Sequence, residues 1–219
     1  MSLRAPVNPR TMLTWLGLAA GVVGLGLQFY LSMQAYAAIG KDIPGSLGTF
    51  FSFYTILTNI VLVLIYLSHI TTLPQLELFR SPVVRGAMAA NITMVMLYVY
   101  FVLRFLTTLE GDAARADSLL HYMAPIFYIL WWLTALPHGA LKWSNLPIML
   151  APTVGYFVYI LARGAWVHEY PYPILNVDKL GYGAVFLNAI YMTIAFAALS
   201  AIVIVVDQFI ARQSRTAAP

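Results

Sequence analysis

Long stretches without a single charged side chain decide what this chain can become. From Met12 to Met33 there is no Asp, Glu, Lys or Arg, and a charge-free apolar run beyond about 18 residues marks a helix that crosses a bilayer. Such runs recur along the whole sequence. Of 219 residues, 61% are hydrophobic and 9% charged, against roughly 45 to 50% and 25% in soluble domains, and the mean hydropathy is +0.80. A soluble globular protein is excluded, because lipid is the only solvent that tolerates this much apolar surface. The apolar runs are long enough for bilayer-spanning helices, with room for about six. The expected fold is all-α, a polytopic bundle of six transmembrane helices.

The six windows fall near residues 12–37, 48–70, 86–107, 118–136, 147–163 and 183–206. Short connections with turn chemistry separate them: Gly40 to Gly48 with Pro44 and Gly45, Thr71 to Pro82, the charged run Glu110 to Asp117, Pro137 to Leu146, and the longer Gly164 to Tyr182. Nothing remains for a soluble domain, so residues 1–219 read as a single membrane domain. Ala35-Tyr36-Ala37 resembles a signal-peptidase site, but the apolar stretch before it exceeds the 7 to 15 residues of a signal core. The first span is therefore expected to be retained.

Loop charges set the expected orientation. The side that holds both termini collects Arg4, Arg10, Arg80, Arg85, Lys142, Arg212 and Arg215 with Glu77 and Asp207; the other side collects five basic and six acidic residues. Basic residues favour the cytoplasmic side, which places both termini there. The net charge of +4 is dispersed singly between apolar runs, so it is a topology signal and no nucleic-acid partner is implied.

Polar groups within a span face the bundle interior or mark a functional path, because lipid does not hydrate them. Here they gather toward the non-cytoplasmic half. Counted inward from Gly48 at 1.5 Å per residue, Thr55, Thr58 and Asn59 lie about 10 to 17 Å deep, with Thr55 and Asn59 on one helix face. His121 lies about one turn below the same surface, and Gln28, Arg104, Arg163 and Asn188 fall in the same half. A polar pocket opening away from the cytoplasm accounts for this distribution. Each residue also has a structural use: threonine hydroxyls bond to the preceding turn, amides link helices, and arginines near span ends snorkel. Histidine is the strongest chemical candidate, because its ordinary pKa of about 6.5 suits proton transfer near neutral pH.

Gly17, Gly21, Ala20 and Gly24 provide small-residue spacing for close helix packing, and Pro125 and Pro152 are expected to bend their spans. Tyr170-Pro171-Tyr172-Pro173 is stiff and aromatic, suited either to a lid over an outward opening or to an interfacial anchor.

Several chemistries lack their residues. Without cysteine, thiolate nucleophiles, iron-sulfur clusters and cysteine zinc sites are excluded. No His-Glu-x-x-His or Gly-x-Ser-x-Gly occurs, and His69 and His121 are expected at opposite depths, so they cannot share a haem. No metal or organic cofactor is implied. Three readings remain: acyl transfer by a hydroxyl and an imidazole on different helices, a non-catalytic lipid-binding or structural protein, and, less favoured for want of midplane ionisable groups, a small-molecule transporter.

Phe53-Tyr54-Thr55-Ile56-Leu57-Thr58-Asn59, Leu119-Leu120-His121-Tyr122-Met123-Ala124-Pro125, Val154-Gly155-Tyr156, Arg163-Gly164 and Tyr170-Pro171-Tyr172 resemble, in order and spacing, the androgen-induced membrane hydrolase family, in particular its bacterial six-transmembrane branch. The resemblance implies a lipid hydrolase with an intramembrane threonine and histidine, acting in animal members on fatty acid esters of hydroxy fatty acids. By motif the threonine is Thr55 and the histidine is His121, with Thr58 a competing hydroxyl. Tyr54, Thr58, Asn59, Arg104, Arg163 and Asn188 are candidates for substrate binding or oxyanion stabilisation. The implied partner is a membrane lipid or fatty-acyl ester, and the implied location a bacterial inner membrane.

Overall fold

The computed structural model describes residues 8–106 and 108–216. Arg4, counted among the cytoplasmic charges, and Thr107, the last residue of the third expected span, lie outside the described residues. The protein is an integral membrane protein with an all-α polytopic fold, and no strand occurs among the described residues. Eight α-helices follow in order: α1 Pro9–Ala38, α2 Ile43–Phe50, α3 Tyr54–Ile70, α4 Pro82–Phe101, α5 Gly111–Ser118, α6 Ala124–Ala135, α7 Leu146–Val167 and α8 Val177–Thr216. A π-helical turn, Leu119–Met123, fuses α5 to α6. Five stretches are long and apolar enough to cross a membrane: Pro9–Ala38, Pro82–Phe105, Gly111–Ala135, Trp143–Val167 and Val177–Thr216. The bent pair α2 and α3 makes a sixth when taken as one broken span.

The molecule is packed for lipid. Large apolar side chains such as Val158, Phe186, Ile194 and Phe209 stand exposed, while Asn59, Asn91, Thr153, Ser200 and Asp207 are buried. α4 occupies the middle, touching α3, α6, α7 and α8, and α1 packs on α3 and α6. The small residues of α1 permit that approach: a Cβ at Gly17 would collide with the Tyr66 ring, and one at Gly24 would lie 2.9 Å from Leu120 Cδ2.

Three departures from the hydropathy windows position the site. The second window is not one helix from Gly48: α2 and α3 meet at 76° across residues 51–53. Both arms are apolar, so hydropathy cannot see the elbow. The groups it releases are bonded, since Ser52 Oγ donates to Thr49 O at 2.6 Å and Tyr156 on α7 donates its hydroxyl to Ser52 O at 2.8 Å. Thr55 consequently sits in the first turn of a new helix and not two turns inside a continuous one. The charged run Glu110 to Asp117, expected as a connection, is helical from Gly111 onward. The last helix begins at Val177 and is interrupted at Gly181, whose φ of 74° is a left-handed conformation that glycine adopts freely.

Pro125 acts through the π turn. It lacks the N–H that would meet a carbonyl four or five residues earlier, and the Ala124 N–H reaches back to Leu119 O. The Leu120 carbonyl is thereby left for a partner from another helix. π turns of this kind often mark functional positions.

Candidate functional site

His121 occupies the centre of the π turn and extends toward the first turn of α3. Its Nε2 lies 3.3 Å from Thr55 Oγ1, and its Nδ1 lies 2.7 Å from Asp117 Oδ1, one turn back on α5. An imidazole that donates Nδ1–H to a carboxylate presents Nε2 as an acceptor, which is the tautomer that can take the threonine proton. Asp117, His121 and Thr55 thus form a continuous hydrogen-bonded chain across two spans. The imidazole and carboxylate keep 19% and 26% of their side-chain exposure, whereas Thr55 is buried.

Asn59 holds the two halves together. Its side-chain N–H groups donate to Thr55 O at 2.9 Å and to the Leu120 carbonyl at 3.2 Å, the carbonyl that Pro125 leaves without a backbone donor. It is fully buried and bridges the two backbone segments that carry Thr55 and His121. Thr58 donates to Tyr54 O at 2.9 Å and to Thr55 O at 3.1 Å, as a transmembrane threonine commonly does. The competing hydroxyl is therefore engaged within its own helix. The Tyr54 hydroxyl donates to Asn91 on α4, with Thr153 Oγ1 of α7 at 3.3 Å. That buried knot ties α3, α4 and α7.

The other candidates lie apart from the Thr55–His121 pair. The Arg104 guanidinium stacks over Tyr100 at 3.9 Å and Phe105 at 4.6 Å on the exposed surface. Asn188 donates to Ile174 O at 2.8 Å. Arg163 donates to the Glu169 carboxylate at 2.9 Å and to Thr49 Oγ1 at 3.2 Å, and Lys41 pairs with the same carboxylate. Burial would raise the Glu169 pKa, but Lys41, Arg163 and Thr49 hold it down at about 2. This cluster anchors the segment after α7, and a Cβ at Gly164 would collide with the Tyr170 ring, so the aromatic loop is held at two points.

The loop brings Tyr172 to the first turn of α3. Burial pushes its hydroxyl pKa up, against the opposing pull of the Thr55 side chain and of the Thr55 and Tyr54 backbone groups. Its ring packs edge-on against Phe53, Tyr98 and Tyr156 at centroid distances of 6.1 to 6.5 Å. Two cavities meet here, and Thr55, Leu103 and Tyr172 line both. One, of about 250 Å³, is also lined by Gln28, Ser32, Tyr36, Asp117 and His121. The other is a narrow apolar slit of about 50 Å³ bordered by Met94, Val95, Phe157, Met192 and Phe196.

Asp117 was not a candidate on sequence, because the charged run around it reads as a connection. Its spacing of four residues from His121 was the available signal, since such pairs share a helix face. Among the described residues no group of three or more His, Asp or Glu comes together as a metal site. At the other end of the bundle, His138 Nδ1 lies 3.0 Å from Asp207 Oδ1, and Asp207 Oδ2 accepts from the Gly139 and Leu141 amides at 3.0 and 2.9 Å. These bonds occupy the carboxylate with holding the α6–α7 connection to α8. No protein-family model, curated protein or solved structure matches the chain.

Proposed function

We propose that the protein is a membrane-embedded hydrolase of fatty-acyl esters, a class that includes the fatty acid esters of hydroxy fatty acids implied by its family resemblance. The observation that carries this reading is the Asp117–His121–Thr55 chain at the meeting of a larger chamber, which Asp117 and His121 line, and an apolar slit. His121 Nε2 accepts the Thr55 proton as Oγ1 attacks the ester carbonyl, and Asp117 stabilises the imidazolium that forms. The oxyanion is met by the first-turn amides of α3. That helix begins at Tyr54 with Phe53 at the cap position and no side-chain cap, so its positive dipole end and the Tyr54 and Thr55 amides, which the Tyr172 hydroxyl approaches, face the developing charge. His121 then returns the proton to the departing alcohol. Water from the chamber, activated by the same imidazole, cleaves the threonine ester and releases the fatty acid.

The apolar slit suits an acyl chain, and its two methionines, Met94 and Met192, are flexible enough to widen it. The family resemblance implies a bacterial inner membrane, and the loop charges favour cytoplasmic termini, so that the chamber opens away from the cytoplasm.

The test is labelling of the purified protein with a fluorophosphonate acyl-transfer probe, followed by peptide mapping and ester turnover. Thr55 is expected to carry the label. Thr55→Ala and His121→Ala should lose it, with turnover reduced by about 10²-fold to 10⁴-fold. Full activity in either correctly folded variant refutes the assignment.

A further inference from the structure

Another cavity, of about 330 Å³, lies at the opposite end of the bundle from the chamber. It is lined by Asn8, Arg10, Thr11, Thr14 and Trp15 at the start of α1 and by His69 near the end of α3. Contacts among three helices fix its floor. Trp131 of α6 donates its indole N–H to Thr14 Oγ1 at 2.9 Å, Thr14 donates in turn to Arg10 O at 2.9 Å, and the His69 ring packs edge-on against Trp131 at 5.2 Å.

The groups left over are of one kind. The Asn8 side-chain oxygen accepts from the Arg10 amide at 3.0 Å, and the Thr14 hydroxyl is used by the two bonds above. The Arg10 guanidinium, the Asn8 side-chain N–H groups, the Thr11 hydroxyl and His69 have no hydrogen-bond partner among the described residues. No carboxylate lines the cavity. Of the two acidic residues at this end, Asp207 is held by His138 and by the Gly139 and Leu141 amides, and Glu77 stands outside the lining in the turn Pro74–Arg80. The Arg85 guanidinium, over the Trp131 ring at 5.8 Å, adds positive charge nearby. A guanidinium ringed by spare donors suits the oxygens of a phosphate.

Depth identifies where that phosphate comes from. α1 has 30 residues, about 45 Å at 1.5 Å per residue, so it crosses the headgroup layers as well as the roughly 30 Å of hydrocarbon. Its first turn therefore lies at headgroup level. Trp15 is 55% exposed, the interfacial setting that an indole prefers, and Met12 and Leu16 present exposed apolar surface along the same stretch, where acyl chains can lie. A choline or ethanolamine headgroup would bring an ammonium that meets no carboxylate here.

We propose that this cavity binds the phosphodiester headgroup of an anionic phospholipid, with Arg10 as its charge partner and Asn8, Thr11 and His69 as further donors. The bound lipid ties the start of α1 to the end of α3. The site lies at the opposite end of the bundle from the Asp117–His121–Thr55 chain, so it does not depend on the hydrolase reading.

The experiment is native mass spectrometry of the full-length protein in neutral detergent, titrated with ether-linked phosphatidylglycerol or ether-linked phosphatidylcholine, neither of which carries an acyl ester. Phosphatidylglycerol is expected to bind about tenfold more tightly. Arg10→Gln and His69→Gln change exposed residues on different helices. The first should weaken phosphatidylglycerol binding by about tenfold and the second by about threefold, whereas Arg212→Gln, at an exposed arginine of the same end, should leave it within about twofold. Millimolar inorganic phosphate should not displace the lipid. Equal affinity for the two lipids, unchanged affinity in either folded cavity variant, or an equal loss in Arg212→Gln overturns the site. Displacement by inorganic phosphate also overturns it, assigning the cavity to a soluble anion.

Discussion

A threonine hydroxyl is a weak nucleophile, and a neighbouring imidazole activates it only in the right tautomer and orientation. In the proposed mechanism Asp117, 2.7 Å from His121 Nδ1, supplies both. In Asp117→Asn the side chain keeps its shape but can donate an N–H to Nδ1, which favours the proton on Nε2 and removes the acceptor that Thr55 needs. Turnover of a fatty-acyl ester should fall by about 10²-fold to 10⁴-fold with KM little changed, a pattern expected when a transition-state interaction is lost. A variant with unchanged kcat would assign Asp117 a purely structural role. The residue scale is also where sequence reading reached its limit. Thr55 and His121 stand out as candidates on motif and depth, because both lie in apolar windows where a polar side chain is conspicuous. Asp117 could not, since hydropathy assigns a charged run to a loop. Thr58, Arg104 and Asn188 stand as equal candidates until their partners are seen, and those partners are two helix carbonyls, two aromatic rings and a loop carbonyl.

Elements set the register between Thr55 and His121. The elbow between α2 and α3 starts a new helix at Tyr54, the π turn rotates His121 toward it, and Asn59 bonds backbone to backbone across the gap. Pro125 follows a π turn whose Leu120 carbonyl is taken up by the Asn59 side chain. The second element-scale device is the clasp of Lys41, Arg163 and Thr49 on Glu169, which fixes the loop bearing Tyr172. Its pH dependence has a definite sign. Glu169 has its pKa lowered from 4.5 to about 2 in the folded protein, so the clasp contributes fully above pH 4.5 and its contribution fades as pH falls toward about 2. The carboxylate is 41% exposed, which limits its worth at neutral pH to about 1 kcal/mol or less. In Glu169→Gln the melting temperature in detergent should be slightly lower at neutral pH, and its decline on acidification below about pH 4.5 should be shallower than in the parent. An equally steep decline would show that other carboxylates govern acid sensitivity.

At the scale of the whole molecule, the number and rough placement of spans were legible in the sequence because lipid imposes one requirement on every segment, an apolar surface about 30 Å long. The way the spans interlock was not, since it depends on buried side-chain links such as Tyr54 to Asn91 and Trp131 to Thr14 that hydropathy averages away. Orientation bears directly on the proposed function, because the chamber lies at the end of the bundle opposite the termini, and under that reading its water comes from that side. The absence of cysteine makes this testable against a clean background. Asp42→Cys and Glu110→Cys lie on connections beside the chamber end, whereas Gln213→Cys lies near the end of α8. With a membrane-impermeant maleimide applied to intact bacterial cells, the first two should label at once and the third only after permeabilisation. The reverse pattern would turn the site toward the cytoplasm. The substrate would then have to come from the inner leaflet and cytosolic pool, while the hydrogen-bonded chain of Asp117, His121 and Thr55 would be unaffected.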